Sequence, residues 1–126
     1  MLPPMFALRG AVPVTANEKE AIESASARLV RELIARNGLA PSRIVSIIFT
    51  ATPDLDRAFP AAGARREGLD DIPTLCAVEI DVPGAPRGIV RVLMHVDGTP
   101  ASPVEHVYLD SAAALRPDRV RKDGGR

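Results

Sequence analysis

Apolar residues follow two kinds of pattern along this chain. Ile22, Ala25, Leu29, Leu33 and Ile34 recur at helical spacing, with Glu20, Glu23, Arg28, Arg31 and Glu32 between them. Thr15 to Glu18 read as a capping box, with Thr15 as N-cap and Glu18 at N3. Asn37-Gly38, with Pro41 beyond, supplies a stop. These limits predict a helix over about 17–37. Elsewhere the apolar residues gather in short runs. Residues 6–14 (FALRGAVPV) read as a first strand, and the β-branched run 44–50 (IVSIIFT) as a strand covered on both faces. Strand, helix and strand make a β-α-β unit. Pro60 at N1 and Gly68 at C′ then frame a second, shorter helix. Residues 74–82 and 88–96 read as strands, joined through the turn Pro83-Gly84-Ala85-Pro86. Residues 104–109 form a short strand or extended piece, and 111–115 a helical turn that ends at Pro117.

The order β-α-β-α-β-β predicts an α+β fold, a mixed β-sheet with two helices on one face. The runs at 44–50 and 88–96 carry apolar residues at both parities, so the other sheet face needs a cover as well. In so small a domain the simplest cover is another copy of the chain. A length of 126 residues allows one domain, placed at 1–117. The polar, charged residues 118–126 read as a flexible tail.

Composition narrows the function. The chain is 46% hydrophobic and 25% charged, as a soluble globular domain would be. A net charge of zero and only four aromatics (Phe6, Phe49, Phe59, Tyr108) argue against a nucleic-acid partner. No apolar run approaches the roughly 20 residues of a membrane span, and no secretory signal opens the chain. A single cysteine, Cys76, excludes an intrachain disulfide and fits a reducing cytoplasm. With it, His95 and His106 make no recognisable zinc set. Phosphate loops, G-x-S-x-G and H-E-x-x-H are absent. An enzyme with this sequence is expected to work without cofactor, metal or covalent nucleophile. Lys19 and Lys122 are the only lysines among 16 basic residues. Base composition of the genome explains that, and so does a need for arginine forks that bind carboxylates.

Three predicted strands each hold one internal charge: Arg9, Glu79 and Arg91. A charge inside an apolar strand is costly unless it is paired or faces a cavity. Glu79 and Arg91 could be a plain cross-strand pair. Three such strands together suggest a shared polar cavity. Taken singly, Cys76 reads as a buried hydrophobe, Tyr108 as a core phenol and Phe59 as a staple beside a helix start. Arg65 and Arg66 read as a solvated face, and His106 as structural.

Seven strings, in order, change this picture: Arg9-Gly10-Ala11; Thr50-Ala51-Thr52-Pro53-Asp54-Leu55; Ala58-Phe59-Pro60-Ala61; Pro73 with Cys76 and Glu79; Ile89-Val90-Arg91-Val92; His106-Val107-Tyr108-Leu109; and Leu115-Arg116-Pro117-Asp118. Together they resemble the AroH-class chorismate mutases over nearly the whole chain. The resemblance implies a homotrimeric pseudo-α/β barrel with active sites at subunit interfaces. It also implies the Claisen rearrangement of chorismate to prephenate, at the branch to phenylalanine and tyrosine. By resemblance Arg91 is the principal catalytic residue, with Glu79 and Cys76 beside the substrate hydroxyl. Arg9 and Tyr108 would bind carboxylate, and Phe59, Ala61 and Leu115 would form apolar wall. Leu75 would be a peripheral contact, Arg65 would stand at the mouth, and Arg116 would help to cover the ligand. Two departures are expected to change affinity more than chemistry: Ala62, where the family often has Lys, and Leu75, where it often has Thr. Cys76 and Glu79 are three apart, so a regular strand would turn them to opposite faces. A shared site predicts a bulge or strand end between them. The competing readings are a RidA-like imine deaminase and a non-catalytic trimer that binds a small carboxylate.

Overall fold

The computed structural model describes residues 4–115. The tail at 118–126, Arg116 and the stop at Pro117 lie outside the described residues. The chain runs β1 (Met5–Pro13), α1 (Lys19–Arg36), a 3-10 turn (Pro41–Arg43), β2 (Ile44–Ala51), α2 (Ala61–Arg66), β3 (Thr74–Val78), β4 (Ile89–Asp97), β5 (Val107–Tyr108) and a 3-10 helix (Asp110–Leu115). The five strands form one mixed sheet in the order β3-β2-β4-β1-β5. β4 is antiparallel to both β1 and β2, while β3 runs parallel to β2 and β5 parallel to β1.

Alternation along the strands sorts the sheet into two faces. Leu8 and Val12 of β1, Ile47 and Phe49 of β2, and Val90, Val92, Met94 and Val96 of β4 are buried. They join Ile22, Leu29, Val30 and Leu33 of α1 in the main core. The helices approach closely where Gly63 of α2 meets α1: a Cβ there would lie 2.5 Å from the Ala27 amide nitrogen. Arg9, Ser46, Ile48, Thr50, Arg91, Leu93 and His95 have the opposite parity and are not buried. The mixed sheet with its helices therefore matches the expected fold.

Several local expectations differ from the structure. The helix begins at Lys19, and its N-cap, Glu18, makes no side-chain cap bond. The capping box at Thr15 does not form. The neighbouring Asn17 instead pairs with Asp56, donating through Nδ2 to Oδ1 at 2.8 Å and accepting from the Asp56 amide at 3.1 Å. Pro60 is the N-cap of α2, one position before the expected N1. β3 ends at Val78 and not at residue 82. Among the described residues β2 is covered on one face only. β3 and β4, read from sequence as neighbours, are separated by β2. The β2-α2-β3 crossover carries β3 out to the sheet edge, and β4 returns to pair between β2 and β1.

Candidate active site

The start of β4 is gripped by the loop that follows β2. Thr52 Oγ1 accepts from the Ile89 amide at 3.1 Å, and Asp54 Oδ1 accepts from the Gly88 amide at 3.2 Å. Gly88 sits at φ +70°, a conformation that suits glycine. Burial pushes the Asp54 carboxyl upward, but the Thr52 hydroxyl, the amides of Gly88 and Asp54, and Arg87 together hold it below its ordinary value. This grip sets the register of β4, which places Arg91 opposite Ala11 on one side and Thr50 on the other.

Arg91 is anchored at one nitrogen. Its Nε donates to Glu79 Oε2 at 2.8 Å, and the same oxygen accepts from Thr50 Oγ1 at 2.9 Å. The pair is half-buried, with side-chain exposures of 36% for Arg91 and 16% for Glu79. The two are not cross-strand neighbours: Glu79 lies just past the end of β3, reaching across β2. Among the described residues the two terminal amino groups of Arg91 have no partner. Arg9 carries its guanidinium on the same sheet face, without a carboxylate partner among the described residues. Its backbone amide donates to His106 Nδ1 at 3.0 Å. Arg9, Thr50, Arg91 and Tyr108, with Ile48 and Leu93, line a concavity of about 370 Å³. Leu115 packs beside Tyr108 against Ala11, Ile89 and Ala112.

The other sequence-predicted residues lie elsewhere. Cys76, Phe59, Arg65 and Ala62 line a second concavity, of about 670 Å³, along the sheet edge. Cys76 pairs with Phe49 and packs against the main core, whereas Glu79 points to the open face. A strand end does lie between them, at Val78, yet they serve opposite faces of the sheet. Ala61, the first residue of α2, is buried in the core. Leu75 is exposed on β3. One chain thus brings Arg9, Glu79, Arg91, Tyr108 and Leu115 to one face and collects Phe59, Arg65 and Cys76 in another place. Thr50, which orients Glu79, was not singled out from sequence. Its signals were a hydroxyl at the open-face parity of an apolar strand and its place at the head of the string Thr50 to Leu55. Among the described residues, no three His, Cys, Asp or Glu side chains cluster as a metal set, and no helix is long and apolar enough to cross a membrane.

Comparison with known proteins decides the family. The family model for chorismate mutase type I matches residues 5–119. The chain belongs to the chorismate mutase type I family. It is 41% identical over 113 residues to chorismate mutase AroH of Thermus thermophilus, covering 88% of this chain and 93% of that protein. It is 35% identical over 113 residues to chorismate mutase AroH of Bacillus subtilis (strain 168), covering 88% and 89%. A solved chorismate mutase from Clostridium thermocellum superposes with a TM-score of 0.83 at 43% identity, covering 87% of this chain and 99% of that one. The sequence resemblance, the fold class and the reading as a chorismate mutase, an isomerase, all agree with these matches.

Proposed function

We propose that this chain converts chorismate to prephenate in phenylalanine and tyrosine biosynthesis, using the open-face concavity around Arg91. Chorismate carries two carboxylates, a ring hydroxyl and an enol ether. Its rearrangement is unimolecular and pericyclic, so it demands no nucleophile, acid or base. It demands a site that holds the compact diaxial conformer and meets the charge that develops as the C–O bond breaks. The observation that carries the proposal is that, among the described residues, Arg91 is anchored through Nε alone. Both terminal amino groups remain for substrate. One donates to the ether oxygen as it gains negative charge, and the other reaches a carboxylate. A lysine has no such fork. Glu79 holds Arg91 in place through Oε2 and accepts from the substrate hydroxyl through Oε1. Arg9, a cation on the same face without a carboxylate partner among the described residues, and the Tyr108 phenol take carboxylate oxygens.

The second group of residues completes the site from a neighbouring copy. β3 is an edge strand, and Leu75, Val78, Ile80 and Val82 stand exposed on it or just beyond, Ile80 at 87%. Phe59 nearby is 72% exposed. Such an apolar edge beside an uncovered sheet face calls for another chain. In a homotrimer, each copy would set Phe59, Arg65 and Cys76 against the Arg91 concavity of the next. Leu75 would be a peripheral contact, Ala61 would support the wall from beneath, and Leu115 would line it. Arg116 would help to close it. The cytoplasm is the expected compartment.

The test mixes purified protein with chorismate, without added metal or cofactor, and follows loss of the diene absorbance with Arg91→Ala alongside. Rapid loss, prephenate as product and near-abolition in the variant support the proposal. No turnover by a folded oligomer refutes it, and carboxylate-binding and imine-hydrolysis assays then decide between the competing readings.

A further inference from the structure

The segment that carries Tyr108 has little structure of its own. β5 is two residues long and pairs with β1 at Gly10–Val107 and Ala11–Tyr108, with one further bond on each side, from the Arg9 amide to His106 Nδ1 at 3.0 Å and from the Leu109 amide to the Ala11 carbonyl at 3.0 Å. Helix α1 holds this segment at both ends. Asn37, the C-cap of α1, donates through Nδ2 to the Glu105 carbonyl at 2.9 Å and accepts at Oδ1 from the Glu105 amide at 2.8 Å. The same Nδ2 donates to the Leu33 carbonyl at 2.9 Å, which ties the amide to the helix. At the other end, Arg28 donates two hydrogen bonds to Asp110, at 2.8 and 3.1 Å. Arg28 and Asn37 are separated by about 13 Å of helix at 1.5 Å per residue. Extended chain from 105 to 110 spans about 16 Å. The helix therefore offers two fixed points at nearly the length of the segment, with Tyr108 between them.

The Arg28–Asp110 pair is poorly suited to a purely stabilising role. The two side chains are 42% and 54% exposed, and ion pairs so exposed contribute little to stability. Asp110 also sits at φ +51°, in the left-handed region. From there the chain turns into the 3-10 helix that ends at Leu115, beside Tyr108. The fork fixes this turn, and the Arg28 hydrogen bonds hold the Asp110 carboxyl below its usual range, against the effect of burial.

We propose that Arg28 and Asn37 are positioning residues for the rearrangement: a bracket on α1 that sets the Tyr108 phenol over Arg9. The proposal rests on the reading of Tyr108 as a substrate-binding group. The chain has one tyrosine and no tryptophan, so its intrinsic fluorescence reports Tyr108 alone. Arg28→Met and Asn37→Ala are compared with wild type by acrylamide quenching of that fluorescence, by thermal melting and by turnover of chorismate. In Arg28→Met, quenching is expected to rise about twofold as the segment loosens, with melting shifted by only a few degrees. The value of kcat/KM falls about tenfold, and the same substitution made in Tyr108→Phe causes no further loss. Arg28→Lys, which keeps the charge without the fork, gives intermediate quenching and serves if the Met variant does not fold. Unchanged quenching overturns the bracket, and so do losses that multiply with Tyr108→Phe. A wild type that does not turn over chorismate overturns the proposed function instead, while quenching still decides the bracket.

Discussion

Replacing Arg91 by alanine removes two things at once. It deletes the two terminal amino groups that face the open-face concavity, and it leaves the Glu79 carboxylate, only 16% exposed, without its cation. Loss of one preorganised donor to developing charge commonly costs about 10²- to 10³-fold in rate. The stranded carboxylate adds repulsion toward a dianionic substrate. The expected loss in kcat/KM is therefore about 10³-fold or more, roughly 4 kcal/mol at about 1.4 kcal/mol per decade. Most of it should fall on kcat, because the ether oxygen gains its charge only in the transition state. Arg91→Lys keeps one positive charge but cannot hold Glu79 through one nitrogen and present a planar pair to substrate. About a 10²-fold loss is expected for it. Stability should move little, by about 1 kcal/mol or less, because the pair is partly exposed. The assay is initial-rate loss of chorismate absorbance, with thermal melts on the same samples. Turnover by Arg91→Ala within tenfold of wild type would refute the reasoning, since the ether oxygen would then be stabilised without Arg91.

Arg9→Ala is expected to raise KM about tenfold with a smaller effect on kcat, because the carboxylate it is proposed to bind is present in both ground and transition states. Steady-state kinetics check this, and a loss confined to kcat would contradict it. Ile80→Asp with Val78→Asp should dissociate the proposed homotrimer and abolish turnover by placing charge on the exposed edge of β3; sedimentation velocity and activity are read together. Gly63→Ala should cost about 2 kcal/mol and lower the melting temperature by several degrees, because the added Cβ would meet the α1 backbone. Asp54 has a lowered pKa in the fold, so its ionised form adds stability above its ordinary value of 3.8, and that stability is lost as pH falls through the lower folded value. Asp54→Asn should thus melt below wild type at pH 7, and the gap should close in strong acid. A gap that is constant or widens in acid would count against this account.

Much of the fold was legible because its signals are local. The 3.6-residue period of α1, the Asn37-Gly38 stop and the apolar run of β4 each lie within a stretch of 18 residues or fewer. Gly38 and Gly68 take the positive φ their positions called for. Two of the charges picked out from the sequence, Arg91 and Glu79, do pair. The failures were of a different kind. Thr15 and Glu18 have the side chains of a capping box, but Asn17 binds Asp56, a partner 39 residues away that no local pattern reveals. The turn at Pro83 suggested a β3-β4 hairpin, yet β4 pairs with β1 and β2.

The sequence by itself determined which segments become helix and strand, which residue types carry charge into the sheet, and which family the chain resembles. These follow from periodicity and side-chain chemistry, which act along the chain. Only the tertiary structure decided that β2 lies between β3 and β4, so that Thr50 bridges to a glutamate from the far strand. Only it divided the candidate residues into an Arg91 group and a Cys76 group on opposite faces of one sheet. Strand order and facing are set by which apolar surfaces can be buried together, a sum over contacts distant in sequence.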